Sequence, residues 1–533
     1  MNPAADRSSM LPSRHPSVRR WSKRLAAWSV GLLGAPVPRN LSFAIFLSLV
    51  FACYAFFGSA GRPFKQWPAY MADYDMLSDS FRDGHTYLPI APDPQLIAAE
   101  NPYDPVNVHL WVLDDSYYKG KYYLYWGPVP SLIQAIVKSA LGITWTIGDQ
   151  YIVFFASCGA AVAGSILLQR ISVRLFGGVP AVLLYACLNA FVFANPILHL
   201  LTTGAVYQAA ISAGQCFLWI GIALTCEALF RQQGGRSHWL RWLLAGVAFA
   251  LALGSRLSLS LAIFAIVGIT ALFVALFPII GAGRRARWRA AAVAACCMGA
   301  PLAFCLGGLM LYNKARFDDY FESGIRLQLS GFPYRFSFTY FPANVYSYFW
   351  QRARLTTEFP YVGQLVNLQA AALPEWLQFP PGYYPVEPLV GVLRVVPIVW
   401  LAPIPLLALI PMLRRWQPRH PSARVVQLAH ACVTCGLAGS ISAIPVFGLY
   451  FPSMRYLGDF TGGLVFLGSI GAFTLYSSVN SSVFGRRVIV AVVCSLSVVT
   501  VGCGVLLGYQ GYNQHFERMN PKLHESIKKA LSL

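Results

Sequence analysis

Charge is scarce in this chain. Asp, Glu, Lys and Arg make up 12% of its 533 residues, while 56% are hydrophobic. A soluble domain carries about 25% charged residues, so a soluble globular protein is excluded. Acids are scarcer still, with 21 Asp and Glu against 41 Lys and Arg, a formal net charge of +20. Several signatures are missing. The sequence holds no GxxxxGK[ST], no HExxH and no GxSxG. That argues against an ATP-driven pump, a zincin and an α/β-hydrolase. The two long polar intervals contain no cysteine, and ten of the twelve cysteines lie inside apolar runs, so no disulfide framework is indicated. Cys432 and Cys435 form a CxxC, but inside an apolar run and without a second pair; they read as small buried residues. No internal repeat is visible, nor the matched interrupted helices of an inverted-repeat transporter.

What is present is a series of apolar runs of about 18–25 residues, long enough to cross a hydrocarbon core. They predict an all-α integral membrane protein with about eleven transmembrane helices, near 41–60, 150–169, 178–198, 205–230, 239–254, 258–281, 290–312, 388–413, 425–449, 457–477 and 488–508. Residues 127–143 are apolar but short and carry Lys138, which predicts an interfacial helix rather than a span. With the N-terminus inside, the basic clusters at 170–174, 231–241, 284–289, 414–424 and 486–487 all fall on the cytoplasmic side, as the positive-inside rule requires. The C-terminus is then outside. The expected organisation is a basic cytoplasmic tail (1–40), a core (41–312) that includes a long first outer loop (61–149), a second outer loop (313–387), C-terminal transmembrane helices (388–508) and an outer tail (509–533). The excess positive charge suits anionic membrane lipids, and its distribution in short clusters argues against a nucleic-acid partner.

The interval from Gly61 to Pro130 is the longest polar stretch near the first span. From Pro68 to Gly84, the residues Tyr70, Tyr74, Leu77 and Phe81 recur at helical spacing and predict an amphipathic interfacial helix. Asp75, Asp79 and Arg82 fall on its polar side, Gly84 suits a left-handed cap, and Asp73 sits at the edge of the apolar face. Asp73 reads equally as a solvated surface carboxylate or as one turned into a polar cavity. Further on, DDSYYKGKYYLYWGPVP (Asp114–Pro130) is dense in aromatics, among them Tyr117, Tyr122, Tyr123 and Trp126. These suit an interfacial belt or stacking on sugar rings. Lys119 and Lys121 could meet a lipid phosphate. Ionisable residues also sit at the outer ends of later spans: Arg256 in GSRLS, Arg316 in YNKARFDDYFESG, and Arg455 and Asp459 in MRYLGDF. Charges at membrane depth are costly and mark functional sites more often than not. Together they predict an outward-facing cavity, with interfacial ion pairing as the plain alternative.

A first span, a long outer loop with an acidic amphipathic helix, and the YYKGKYYLYWGPVP segment together resemble the GT-C superfamily of polytopic membrane glycosyltransferases, the group of the protein O-mannosyltransferases and the aminoarabinose transferase of lipid A. The resemblance implies transfer of a sugar from a polyprenyl-phosphate donor to a lipid, glycan or protein acceptor on the periplasmic face of a bacterial inner membrane. It implies an acid of the first outer loop as general base, here Asp73 or Asp75. It implies donor-phosphate contacts from Lys119, Lys121, Arg256 and Arg455, and a substrate cavity bounded by Tyr117, Tyr122, Tyr123, Trp126, Arg316 and Asp459. Some members use a divalent cation, though no oxygen-ligand cluster is visible here and no metal ligand is assigned. The chain departs from the family pattern in one respect. Residues 61–72 hold no acid, and the first carboxylates form DYD rather than DE or DD. Two other readings stand beside enzymatic transfer: a catalytically inactive GT-C-like scaffold, and a transporter or flippase of a lipid-linked sugar.

Overall fold

The computed structural model describes residues 39–67, 71–231, 239–277, 283–330, 334–366, 374, 377, 379–384, 387–414, 422–479 and 482–531. The N-terminal tail, Tyr70, Arg236, Arg415 and Arg419 lie outside the described residues. The chain divides into two compact units, Met1–Phe51 and Ala52–Leu533. The described part of the first is the opening of an apolar helix, α1 (Arg39–Gly58). Every element of the candidate site belongs to the second.

Helices dominate, and the only sheets among the described residues are three two-stranded ones. Eight helices among the described residues are long and apolar enough to cross a membrane, and the chain is a multi-pass helical membrane protein. Eleven spans were expected. The other three expected segments form weaker helices, each for a local reason. Trp239–Ser255 has 17 residues and stops at Arg256. The 388–413 segment is broken by Pro397, Pro403 and Pro405 into a 3-10 turn and a helix at Pro403–Arg414, because proline removes backbone donors. Thr461–Ser478 is complete but diluted by glycine and hydroxyl residues.

The first outer loop begins with helix α2 (Asp73–Arg82). Tyr74 and Leu77 are fully buried, as their spacing predicts. Asp79 and Arg82 pair at 3.0 Å, and Gly84 takes the left-handed conformation, with φ at 79°. The amide of Tyr74 donates to Asp149 Oδ1 at 3.3 Å, so a carboxylate from the next long helix caps the start of α2. Next comes a β-hairpin, β1 (Ser116–Tyr118) with β2 (Lys121–Tyr123). Its two turn residues, Lys119 and Gly120, both have positive φ, the backbone of a type I′ turn.

Helix α3 (Val129–Leu141) is the short apolar helix expected at 127–143. Its single charge explains its seat. Lys138 is completely buried and its Nζ lies 2.9 Å from Asp75 and 2.8 Å from Asp79, both on α2. Gln134 Nε2 donates to Asp75 Oδ1 at 2.9 Å. The polar side of α3 therefore faces protein, while Leu132, Ile133, Ile136, Val137 and Leu141 face outward. This arrangement corrects one expectation. Asp75 does not lie on a solvated side of α2: it is 2% exposed, because a lysine from another helix supplies the counter-charge that burial demands.

The C-terminal tail folds back onto the outer loops. Asn520 Nδ2 donates to Ala60 O at 2.8 Å, and Lys528 pairs with Glu358 at 3.2 Å. Removing one partner of a buried ion pair costs about 3–5 kcal/mol. Lys138→Met is expected to destabilise the protein by that order in reversible unfolding in detergent, and an Asp75→Asn/Lys138→Met double variant by clearly less. A double variant as unstable as the sum of its parts would refute the pair as the link between α2 and α3.

Candidate functional site

Arg256 follows directly on helix Trp239–Ser255, where the chain breaks before the next long helix. Its guanidinium is buried and forks onto Asp459, with Nη2 to Oδ2 at 2.7 Å and Nε to Oδ1 at 3.2 Å. Asp459 is fully buried at the end of a 3-10 turn, Met454–Asp459. Two glycines make room. A Cβ on Gly127 would stand 2.1 Å from Gly254 O, and one on Gly214 would stand 2.7 Å from Arg256 Cβ. The Gly-Pro-Val-Pro break thus lets the outer loop press onto the end of the helix, and it sets the Trp126 ring 5.1 Å from the Arg256 guanidinium.

Arg455 comes from the same 3-10 turn. Its Nη1 pairs with Glu387 Oε1 at 3.1 Å. Its guanidinium lies 4.5 Å from the Tyr207 ring and 5.1 Å from Tyr456, within cation–π range. Its Nε is buried without a hydrogen-bond partner among the described residues.

Both arginines line one cavity of about 510 Å³. Trp126, Tyr207 and Glu387 share its wall, and so does a carboxylate, Asp114. Asp114 holds a left-handed backbone, φ 72°, a conformation that costs energy and clusters at functional sites. Its surroundings fix it there: the amide donates to Leu329 O at 2.9 Å, Gln328 Nε2 donates to Oδ1 at 3.1 Å, and the Tyr207 hydroxyl donates to Oδ2. Two more carboxylates lie within its field. Burial pushes the Asp73 carboxyl up to about 6, with Asp114 adding to the rise. Burial pushes Asp115 up to about 8, with Asp73 and Asp114 both contributing. Around neutral pH, Asp73 is ionised and Asp115 is protonated.

The structure unites some of the expected residues and disperses others. Arg256, Arg455 and Trp126 share the cavity wall, and Asp459 lies beneath Arg256. Asp73 is outside the wall but beside Asp114 electrostatically. Asp75 is committed to Lys138 and Gln134. Lys119 pairs with Asp318 at the exposed surface, 2.8 Å apart, and Lys121 lies 3.9 Å from the Tyr87 ring. Neither lysine lines the cavity. Tyr117, Tyr122 and Tyr123 are buried around the hairpin, with Tyr123 edge-on to Phe317 at 5.1 Å. Arg316 clamps that hairpin, donating to Leu124 O at 2.7 Å between the rings of Tyr312 and Phe317.

Asp114, Tyr207 and Glu387 were not singled out from sequence. Asp114 had a visible signal, since it opens the only DD pair of the first outer loop. Tyr207 reads as an ordinary residue at the start of a span, and Glu387 as the close of a polar loop. A divalent cation does not fit the residues present: among the described residues no three His, Cys, Asp or Glu side chains are grouped to hold a metal ion.

No protein-family model matches the sequence, and no curated protein does. Among solved structures, the chain is similar to ArnT from Cupriavidus metallidurans bound to undecaprenyl phosphate, at 10% identity over 92% of this chain and 79% of that one, with a TM-score of 0.41. It is also similar to the archaeal oligosaccharyltransferase AglB from Archaeoglobus fulgidus, solved with an inhibitory peptide and a dolichol-phosphate, at 12% identity over 88% of this chain and 56% of that one, TM-score 0.40.

Asp114 raises both neighbouring carboxyls, so Asp114→Asn is expected to lower the titration midpoints of Asp73 and Asp115 from about 6 and about 8. Infrared difference spectra of the protonated carboxyl band against pH measure this directly. Unchanged midpoints would separate Asp114 from the other two.

Proposed function

We propose that this protein is a membrane glycosyltransferase, moving a sugar from a polyprenyl-phosphate donor to an acceptor at the periplasmic face of a bacterial inner membrane. One observation carries the reading: a single cavity of about 510 Å³ is walled on the protein's own residues by a fixed carboxylate, Asp114, and by two arginines, Arg256 and Arg455. Transfer from a lipid phosphate needs a base for the acceptor and cations for the departing anion.

In this reading the Asp73–Asp114 pair serves as base, with Asp114 facing the substrate. The carboxylate takes the proton of an acceptor hydroxyl or amine. The acceptor's oxygen or nitrogen bonds to the anomeric carbon as the bond from that carbon to the phosphate oxygen breaks. The electron pair leaves with the lipid phosphate. Arg455 meets that anion, because its buried Nε has no partner among the described residues. Arg256 is engaged by Asp459 and contributes mainly field and rigidity. Lys119 and Lys121 are exposed and would act, if at all, on headgroups outside the cavity. The sidedness in this reading is that of eleven spans with the basic clusters inside. It is supported by the joining of the C-terminal tail to Ala60 and Glu358, which needs the tail and both loops on one face.

Undecaprenyl-phosphate-linked pentoses and hexoses, with release of undecaprenyl phosphate as readout, test the reading. Turnover is expected to rise with pH through about 6, as the Asp73 carboxyl ionises. Asp114→Asn and Asp73→Asn are expected to lose about 10²–10⁴-fold in turnover while retaining undecaprenyl phosphate in native mass spectrometry. Arg455→Ala is expected to weaken that binding about tenfold or more. Lipid binding without turnover in the wild type would favour a transporter, and neither binding nor turnover would favour a scaffold.

A further inference from the structure

A second cavity, of about 300 Å³, opens at the end of the last long helix, Val483–Gln510. Its wall is built from amides: the side chains of Gln364, Gln510, Asn513 and Gln514, with Pro388 and Gly511. No charged residue lines it among the described residues. The wall is held in an unusual backbone, since Gly511, Asn513 and Gln514 all have positive φ, at 56°, 50° and 59°. Two of these are not glycine, and such strain persists only where the surroundings impose it. The start of this turn is anchored. Gln364 donates its amide N–H to Gln510 Oε1 at 3.1 Å and its side-chain Nε2 to Gly511 O at 3.4 Å, and that Nε2 lies 3.2 Å from the buried His199 ring. By contrast, Asn513 and Gln514 are exposed and their side-chain amides, like the NH₂ of the half-buried Gln510, are bonded to no described residue. The framework is tied down, and its outward donors and acceptors are left open.

The position matters as well. Pro388 lines this cavity while the preceding residue, Glu387, lines the larger one and pairs with Arg455. Glu387 and the strand that follows it, Pro388–Leu389, which pairs with Leu365–Val366, are therefore a shared partition. We propose that the amide-lined cavity is a binding subsite for an uncharged, polyhydroxylated group, a neutral saccharide on the acceptor side of the transfer cavity. Amides both donate and accept, which matches hydroxyl groups. A phosphate or carboxylate would call for arginine or lysine, and a hydrocarbon chain would leave the amides unpaired. The acceptor assignment rests on the glycosyltransferase reading; the neutral-saccharide chemistry does not.

The probe is a set of methyl hexopyranosides, measured by saturation-transfer NMR on the full-length protein in nanodiscs. Wild type is expected to show transfer, and an excess of glucose 6-phosphate should not compete. Asn513→Gly and Gln514→Gly remove the amides while suiting the positive φ, so the backbone is kept. Each is expected to weaken glycoside binding about fivefold to tenfold, with undecaprenyl phosphate binding unchanged. Absence of transfer in wild type, or equal transfer in both variants, would overturn the subsite while leaving the transferase reading intact. Competition by an undecaprenyl-phosphate-linked hexose would overturn the acceptor assignment, since the cavity would then hold the donor's sugar. Glycoside binding in a protein that neither binds lipid phosphate nor turns over would instead remove the transferase reading alone.

Discussion

The fork of Arg256 on Asp459 is the contact on which the outer cavity depends. Both side chains are buried, and withdrawing two charges from water is repaid only by close, two-pronged geometry. That geometry constrains three separate parts of the chain: the break after Trp239–Ser255, the 3-10 turn at Met454–Asp459, and the helix carrying Gly214, whose missing side chain admits the arginine. Gln215, next to that glycine, donates to Asp459 O at 3.0 Å. The same turn delivers Arg455, one residue beyond Met454. Once Arg256 is fixed, Arg455 is aimed into the cavity.

Against this fixed positive pair stands a carboxylate group assembled differently. Asp114 is held in the left-handed region by Tyr207 and Gln328, which are distant in sequence. Burial raises both Asp73 and Asp115 and the Asp114 charge adds to each rise, while Asp73 lifts Asp115 further, so that Asp73 sits at about 6 and Asp115 at about 8. Two acids on either side of neutrality therefore stand near two guanidinium groups that keep their charge.

Some of this was legible in the sequence. Arg256 and Arg455 were, because an ionisable residue at the end of an apolar run has few tolerable environments. Helices α2 and α3 were, because spacing and a lone Lys138 leave one arrangement. Asp75 was misplaced because a helical wheel assigns sides without knowing what packs there, and the deciding partner comes from another helix. Tyr117, Tyr122 and Tyr123 were read as cavity residues, although YYKGKYY is symmetric about a Lys-Gly turn and carries the signal of a self-packed hairpin. The seat of Asp114 was not legible. It is set by side chains 93 and 214 residues away, and no local pattern encodes that meeting. Segments such as Trp239–Ser255 form helices where the hydropathy places them, but prolines, glycines and an abrupt arginine leave them shorter or less apolar than the eight long helices.

Helix α3 carries its only lysine inward and Leu132, Ile133, Ile136, Val137 and Leu141 outward. An ordinary interfacial helix offers its cations to lipid headgroups, so its depth follows the anionic content of the leaflet. Here the ammonium is already neutralised inside the protein by Asp75 and Asp79. The outward face of the helix is left purely hydrocarbon, with no cation of its own to answer a change of headgroup charge.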